Sequence, residues 1–110
     1  MKIQDPEIFK IHAEFCKTIA NEKRLMIMTL LAEKELCVGD LAEAIGASVS
    51  NISQHLNVLR SRNIVRSRKE AQTVYYSLVH PRLYEACVII RTVLLEDLEQ
   101  QGKKAKEIHR

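Results

Sequence analysis

The fold of this 110-residue chain is indicated by two short segments of regularly spaced apolar residues, one before and one after Gly46. Residues 38–59 read VGDLAEAIGASVSNISQHLNVL. Apolar residues recur every three or four positions before and after Gly46, which predicts two amphipathic helices. Glycine is typical of a helix end, and Ser48 is suited to begin the next helix by accepting a hydrogen bond from a free amide. The stretch therefore predicts a helix-turn-helix. The residues expected to face inward on its second helix are Val49, Ile52, Leu56 and Leu59.

The period of the sequence changes directly after this stretch. Residues 64–68 and 73–78 alternate between apolar and polar side chains, and the four residues between them, 69–72, form a mostly polar turn. Alternation with a period of two predicts β-strands, so we expect a hairpin attached behind the helix-turn-helix. The segment is also basic, because one acidic residue, Glu70, stands among five cations. These are Arg60, Arg62, Arg66, Arg68 and Lys69.

Three further helices are predicted outside this region. Asp5-Pro6 is a helix start, since Asp can cap free amides and Pro suits the first helical position. Asn21 opens a helix whose broad apolar face predicts a central core element. Pro81 opens a last helix whose apolar stripe is too wide for a solvated helix, so we expect a partner to cover it. That stripe contains Leu83, Cys87, Ile90, Leu94 and Leu98.

Length and composition limit the kinds of protein that this chain can be. We expect one domain over residues 1–99, with 46% of the whole chain apolar, followed by a polar tail, residues 100–110. The sequence lacks a membrane-spanning run and a signal peptide, which predicts a cytoplasmic protein without membrane contact. Its three cysteines are few, odd in number and dispersed, as is usual for reduced thiols. Scattered histidines and the lack of a glycine-rich phosphate loop argue against an enzyme.

Polar side chains on the second helix of the helix-turn-helix are suited to reading DNA. Asn and Gln amides can pair with adenine, hydroxyl and imidazole groups can bind phosphate or base edges, and helix N-termini favour phosphate. Basic residues of the hairpin would add salt-sensitive attraction to phosphates. The alternatives are an ordinary solvated surface and an adaptor that uses the same fold for protein contacts. The predicted contacts to double-stranded DNA are Ser48, Ser50, Asn51, Ser53, Gln54, His55, Arg66, Arg68, Lys69, Gln72 and Thr73.

Four segments, in their order and spacing, resemble the ArsR/SmtB family of metal- and thiol-responsive repressors over nearly the whole chain. They are Ala20–Leu25, Glu35–Ala42, Ser48–Leu56 and Arg68–Tyr76. The resemblance implies a mainly α winged helix-turn-helix with a β-hairpin. It also implies a homodimer joined through the first and last helices, bound to a palindromic DNA operator and controlled by an effector.

The resemblance is less specific about the effector. Arsenic and cadmium sensors of the family carry Cys-Val-Cys-Asp where this chain has Cys37-Val38-Gly39-Asp40, so one thiolate is missing. Cys37 and Asp40 also match positions of the zinc sensors. His12 and Cys16, on the first helix, are the residues available to complete such a site.

Two other sensing sites of the family do not carry over residue by residue. The last-helix zinc site falls on His80, Arg82, Val93 and nearby acids, and the cysteine pair of the persulfide sensors falls on Thr29 and Leu95. Cys16 and Cys87 lie on the two helices expected to meet in the dimer, where thiols could respond to oxidants or soft metals. We therefore expect no required cofactor. A regulatory soft metal ion or thiol modification is one hypothesis, and a regulator without an effector is the other.

Overall fold

The computed structural model describes residues 1–102, and the remainder of the predicted tail, 103–110, lies outside the described residues. Its elements are α1 (Pro6–Ile19), α2 (Glu22–Leu31), β1 (Leu36–Cys37), α3 (Val38–Ile45), α4 (Val49–Ser61), β2 (Val65–Glu70), β3 (Thr73–Leu78) and α5 (Pro81–Gln100). The five predicted helices and the hairpin are confirmed, and the architecture is a winged helix-turn-helix. Within residues 1–102, every helix is too short or too polar to cross a membrane.

These elements group into two compact units. Met1–Val79 contains α1 through β3, and the second unit begins at His80 and contains α5. The core of the first unit brings together side chains from α2, α3, α4 and the residue before β2. Burial of each large apolar side chain stabilises the fold by about 1.5–3 kcal/mol. The core residues with 0% exposure are Ile27, Leu41, Ile52, Leu56, Leu59 and Ile64. The expectation of one domain over residues 1–99 stays a prediction.

The two N-terminal helices begin where the sequence predicted, by different means. Asn21 Oδ1 accepts hydrogen bonds from the backbone amides of Lys23 and Arg24 at 3.0 and 3.1 Å, so its capping role is confirmed. The capping role predicted for Asp5 is wrong, since Asp5 has φ 48 and its side chain makes no cap hydrogen bond. Because Pro6 fixes a helical φ by its ring, the helix can start without the carboxylate.

One strand of the sheet was not predicted. β1 pairs antiparallel with β3, with Leu36 opposite Tyr76 and Cys37 opposite Tyr75, so that the strand order is β1-β3-β2. A strand of two residues is too short to show alternation, and its only signal is the partner strand. β3 is therefore the central strand, and it connects the hairpin to the residue that leads into α3.

The hairpin is longer than predicted and its turn is shorter. β2 pairs with β3 from Val65 opposite Leu78 to Glu70 opposite Thr73. Lys69 and Glu70 therefore belong to the strand, and the predicted four-residue turn is wrong. The turn consists of Ala71 and Gln72, with Ala71 at φ 55. Tight two-residue hairpin turns require a positive φ at their first position. This conformation is sterically unfavourable for residues other than glycine, and here Ala71 adopts it.

Candidate nucleic-acid interface

The turn between α3 and α4 is built by local hydrogen bonds. Gly46 ends α3 at φ 79, a conformation that glycine adopts without steric cost. The amides of Gly46 and Ala47 both donate to Ala42 O, at 2.9 and 3.0 Å. Ser48 Oγ then accepts from the amide of Asn51 at 3.0 Å and begins α4. Gly46 therefore ends α3 and Ser48 caps α4, as predicted from the sequence.

The apolar side of α4 fixes the helix against the core. Ile52, Leu56 and Leu59 are all 0% exposed. Val49 was predicted to face inward with them, but it is 51% exposed, so that prediction is wrong. Helical periodicity gives the correct face, but Val49 lies in the first turn of α4, at the end of the helix, where the core no longer covers it.

The opposite side of α4 carries the residues predicted to read DNA. Ser48, Ser50 and Gln54 are exposed, whereas Ser53 is partly buried. Within residues 1–102, neither amide atom of Gln54 has a hydrogen-bond partner. Both atoms are therefore free to pair with a base edge.

Asn51 differs from Gln54 in how its amide is oriented. Asn51 is partly buried, and its Oδ1 is fully buried without a hydrogen-bond partner among residues 1–102. Bidentate pairing with adenine needs both the amide oxygen and the amide nitrogen. In this orientation Asn51 offers only the Nδ2 donor to a ligand, so the bidentate reading is better suited to Gln54.

His55 is held by a residue that the sequence analysis did not single out. Its Nδ1 accepts a hydrogen bond from Arg24 Nε at 3.1 Å, and Arg24 Nη1 donates to Thr18 O at 2.8 Å. Burial lowers the pKa of His55, and the positive charges of Arg24 and Lys23 lower it further. Arg24 and His55 are 31 positions apart, and no periodic pattern in the sequence links them.

The predicted DNA contacts of the hairpin divide between the two faces of the sheet. Side chains alternate along a strand, so Arg66, Arg68 and Glu70 share one face and Lys69 lies on the other. Among residues 1–102, neither Arg66 nor Lys69 makes an ion pair, and both are exposed. Gln72 is exposed in the turn and Thr73, at the start of β3, is partly exposed.

Within residues 1–102, Arg68, unlike Arg66, makes ion pairs with neighbouring side chains. Its Nη2 lies 2.8 Å from Glu35 Oε1, its Nη1 lies 3.2 Å from Glu70 Oε2, and its Nε donates to both oxygens of Glu35 at 2.9 and 3.0 Å. The guanidinium also lies 4.9 Å from the centre of the Tyr75 ring. We call Glu35, Arg68, Glu70 and Tyr75 the wing cluster.

The electrostatics of the wing cluster follow from these contacts. The hydrogen bond from Arg68 lowers the pKa of Glu35, and the hydrogen bonds to Glu35 and Glu70 raise the pKa of Arg68 above its ordinary value. In the sequence, Glu70 is the one acid of the basic segment. The fold adds Glu35, 33 positions before Arg68, so the positive charge of Arg68 is locally compensated.

The residues predicted to sense an effector lie in different parts of the structure. Cys37 is the N-cap residue of α3, and its Sγ donates to Asp40 Oδ2 at 3.2 Å. His12 and Cys16 are exposed on α1, one turn apart, and Cys87 is buried on α5. Over residues 1–102, no three His, Cys, Asp or Glu side chains are grouped so that they could hold a metal ion. A Cβ built on Gly39 would lie 3.9 Å from Cys37 Sγ, at ordinary contact distance.

Two helices carry exposed apolar faces. On α1, Ile8, Phe9 and Ile11 are 53%, 56% and 57% exposed. On α5 the exposed members are Ile89, Ile90, Val93 and Leu94. Apolar residues grouped in this way mark surfaces that bind another protein. These are the two helices that the sequence analysis assigned to a dimer interface.

Comparison with known proteins gives a consistent result. A family model described as bacterial regulatory protein, arsR family, matches residues 21–67, which contain α2, α3, α4 and the start of β2. The HTH-type transcriptional regulator Rv0081 of Mycobacterium tuberculosis is 34% identical over 111 aligned positions, which cover 91% of this chain and 97% of Rv0081. Its crystal structure superposes with a TM-score of 0.78, with 35% identity and coverage of 90% of this chain and 99% of that one.

Two further relatives cover different parts of the molecule. The nodulation protein NolR of Rhizobium meliloti is 48% identical over 68 residues, and the match spans 62% of this chain but only 56% of NolR. The homodimeric winged helix-turn-helix domain of Mb0332 from Mycobacterium bovis, described as a possible ArsR-family regulator, has a TM-score of 0.75 at 28% identity. That comparison covers 91% of this chain and 93% of Mb0332. The chain therefore belongs to the arsR family of bacterial regulatory proteins, which are DNA-binding transcriptional regulators.

Proposed function

We propose that this chain binds a two-fold symmetric DNA operator as a homodimer, with α4 in the major groove and the β2–β3 hairpin, its wing, against the neighbouring phosphates. One observation carries the proposal. The apolar side of α4 is fully buried at Ile52, Leu56 and Leu59, while Ser50 and Gln54 on its other side are exposed. A rigid helix with free polar groups on its outer side is what base readout in a major groove requires.

The wing supplies the contacts that do not depend on sequence. Arg66 and Lys69 are exposed and lack ion pairs within residues 1–102, so they can bind phosphates directly. Arg68 has a different proposed role, because Glu35 and Glu70 already compensate its charge. We propose that Arg68 orders the wing and that Arg66 and Lys69, with Gln72 and Thr73 at the turn, contact the DNA.

The homodimer is proposed from the exposed apolar faces of α1 and α5. A single helix-turn-helix reads only a few base pairs, whereas a two-fold dimer reads two half-sites about one helical turn apart. The homodimeric state of Mb0332 supports the same assembly for this chain. A regulator of this kind works in the cytoplasm, where its DNA lies.

Binding to DNA tests the proposal directly. The purified chain should bind a duplex from the promoter of its own gene more tightly than a scrambled duplex, and affinity for both should fall steeply between two salt concentrations. Light scattering should give twice the mass of one chain. Affinity that ignores salt, or no saturable binding, would favour a protein-interaction adaptor and contradict the proposal.

Gln54 is the residue on which sequence discrimination should depend most. Gln54→Ala removes a free, exposed amide, and a lost bidentate contact costs about 1–3 kcal/mol of discrimination. We expect the preference for promoter over scrambled duplex to fall by roughly tenfold for each half-site. Ser61→Ala, on the same helix but outside the predicted contacts, is the control. Unchanged discrimination by the Gln54 variant would remove this residue from the base contacts.

Effector sensing is a separate proposal. The family includes metal-sensing regulators. In this chain the proposal rests on Cys37, which lies at the start of α3. Its thiol makes an exposed hydrogen bond with Asp40. Cadmium, zinc and a persulfide donor should be titrated against the DNA complex of the wild-type chain and of Cys37→Ser. A response that the substitution leaves intact would exclude Cys37 as the sensor.

A further inference from the structure

The contact between Arg24 and His55 determines which nitrogen of the imidazole carries a proton. A guanidinium has only donors, so the His55 nitrogen that faces it must supply a lone pair. That nitrogen is Nδ1, 3.1 Å from Arg24 Nε. A neutral ring with a lone pair on Nδ1 has its proton on Nε2, and a charged ring would place one N–H against another.

The other nitrogen of the ring is free to act on a ligand. Within residues 1–102, His55 Nε2 has no hydrogen-bond partner, and it does not belong to the fully buried polar atoms without partners. It therefore reaches solvent from the helix that carries Ser50 and Gln54. An N–H at this position can only donate, so it selects an acceptor.

We propose that Arg24 is a positioning residue for DNA recognition, which holds His55 as a neutral ring protonated on Nε2 and so presents one hydrogen-bond donor to an acceptor atom of the DNA. This inference rests on the proposed function of α4. The acceptor is a phosphate oxygen or the acceptor edge of a base, and both offer the same lone-pair chemistry.

Arg24 is itself fixed, so it can fix His55. Its Nη1 donates to Thr18 O at 2.8 Å, and its backbone amide donates to Asn21 Oδ1 at 3.1 Å. One guanidinium thus connects the last turn of α1 to the middle of α4. An arginine held at both ends loses little entropy when it orients the imidazole, whereas a free surface arginine would lose more.

The surroundings of His55 also oppose its protonation. The charged groups that act on the ring are Arg24 and Lys23, both on α2, and both lower the pKa of His55 together with burial. Within residues 1–102, only Arg24 makes a hydrogen bond to the ring. Lys23→Met therefore removes the same unit of charge as Arg24→Met without touching the proposed contact, which makes it the matched control.

The tautomer can be measured without DNA. Long-range proton–nitrogen NMR correlation at pH 7.5 on the ¹⁵N-labelled wild-type chain should show His55 Nδ1 as the unprotonated nitrogen and Nε2 as the protonated one. Lys23→Met should keep this pattern, and Arg24→Met should give a mixture of tautomers and a higher pKa for His55. A wild-type His55 protonated on Nδ1 would overturn the proposal.

The role in recognition is measured with two duplexes, the promoter of its own gene and a scrambled sequence of equal composition. We expect Arg24→Met to lose roughly fivefold to tenfold more affinity than Lys23→Met for each half-site of the duplex, as is usual for one hydrogen bond. In a His55→Phe background the same Arg24 substitution should cost no more than the Lys23 substitution. Extra loss on both duplexes identifies a phosphate acceptor, and extra loss on the promoter alone identifies a base.

Other outcomes count against the inference. If Arg24→Met loses no more affinity than Lys23→Met, the tautomer is real but plays no part in recognition, and the proposal is overturned while the proposed function stands. If Arg24→Met does not fold, His55→Phe carries the test, since undiminished affinity in that variant would also overturn it. If the wild-type chain binds neither duplex, the proposed function is contradicted and the role of Arg24 in DNA recognition is overturned with it. The NMR measurement then reports only the tautomer of His55.

Discussion

The recognition helix α4 and the wing are held in place by different forces. Three side chains of α4 are completely buried, and Ser48 caps its first turn. In the wing only the base is buried, at Val65 and Leu78, and the outer half combines the backbone pairing of β2 with β3 and the wing cluster at the surface. α4 is thus fixed by packing, whereas the outer half of the wing is held by strand pairing and by charges that water and salt can screen.

This difference matches the role proposed for each region. Base edges require donors and acceptors placed within a few tenths of an ångström, so the helix that reads them benefits from a rigid support. Phosphates are spread along the backbone and attract cations over a longer range, so a wing can contact them with less exact placement. Four sets of substitutions test this difference between α4 and the wing.

Removing the packing under α4 should have the largest effect. Leu56→Ala deletes a fully buried side chain, and such changes cost about 2–5 kcal/mol of folding free energy. Val49→Ala, on the same helix but 51% exposed, should cost well under that amount. Urea unfolding of both variants measures the contrast. Equal losses would mean that α4 does not depend on its buried face.

Removing the free cations of the wing should weaken binding to every DNA sequence. Arg66→Gln with Lys69→Gln should make the slope of log affinity against log salt shallower by about 3.6, because a dimer loses two phosphate contacts from each of its two protomers. Arg68→Gln should change that slope much less, because Glu35 and Glu70 compensate the charge. Fluorescence anisotropy at several salt concentrations tests both. A larger effect from Arg68 would return it to the set of phosphate contacts.

Opening the wing cluster should have a smaller effect of opposite sign. Glu35→Gln removes the carboxylate that pairs with Arg68 and frees part of a guanidinium for phosphate in each protomer, so the salt slope of the dimer should steepen by up to about 1.8. The salt slope of the wild-type chain should also steepen as the pH falls through the lowered pKa of Glu35, because protonation of this carboxylate ends its ion pair with Arg68. Glu33→Gln is the control. An unchanged slope would show that Arg68 does not reach the DNA even when released.

The smallest expected effect is at the wing turn. Ala71 holds φ 55, so Ala71→Gly should relieve strain and raise folding stability by up to about 1 kcal/mol. Gln72 is not among the residues of positive φ, and Gln72→Gly should lower stability by about 0.5–1 kcal/mol through the entropy of the unfolded chain. Thermal unfolding distinguishes the two. A destabilised Ala71→Gly chain would contradict the assignment of strain to this turn.

The sequence predicted the elements whose signals are local. Gly46 and Ser48 place the helix-turn-helix because a left-handed residue and a cap act within one turn. The alternation of β2 and β3 likewise predicts the hairpin. The errors lie where a local pattern meets a boundary: Val49 has the right spacing but sits beyond the core, and Lys69 looks like a turn residue but extends the strand.

The contacts that refine the candidate site could not be predicted from local pattern. Arg24 meets His55 across 31 positions, and Glu35 meets Arg68 across 33. Both pairs join residues that belong to different elements, so each depends on the packed fold. β1 is missing from the prediction for the same reason, since Leu36 and Cys37 become a strand only when β3 lies beside them.

The glycine at position 39 has a consequence for how easily this molecule could change its chemistry. The cadmium- and arsenic-type segment that the sequence resembles differs here by one thiol, and the side-chain space next to Cys37 is open at ordinary contact distance. Packing therefore does not oppose a second sulfur at this position, and helix propensity favours a larger residue than glycine there. A regulator with one thiol at the start of α3 stands a single substitution away from one with a dithiol.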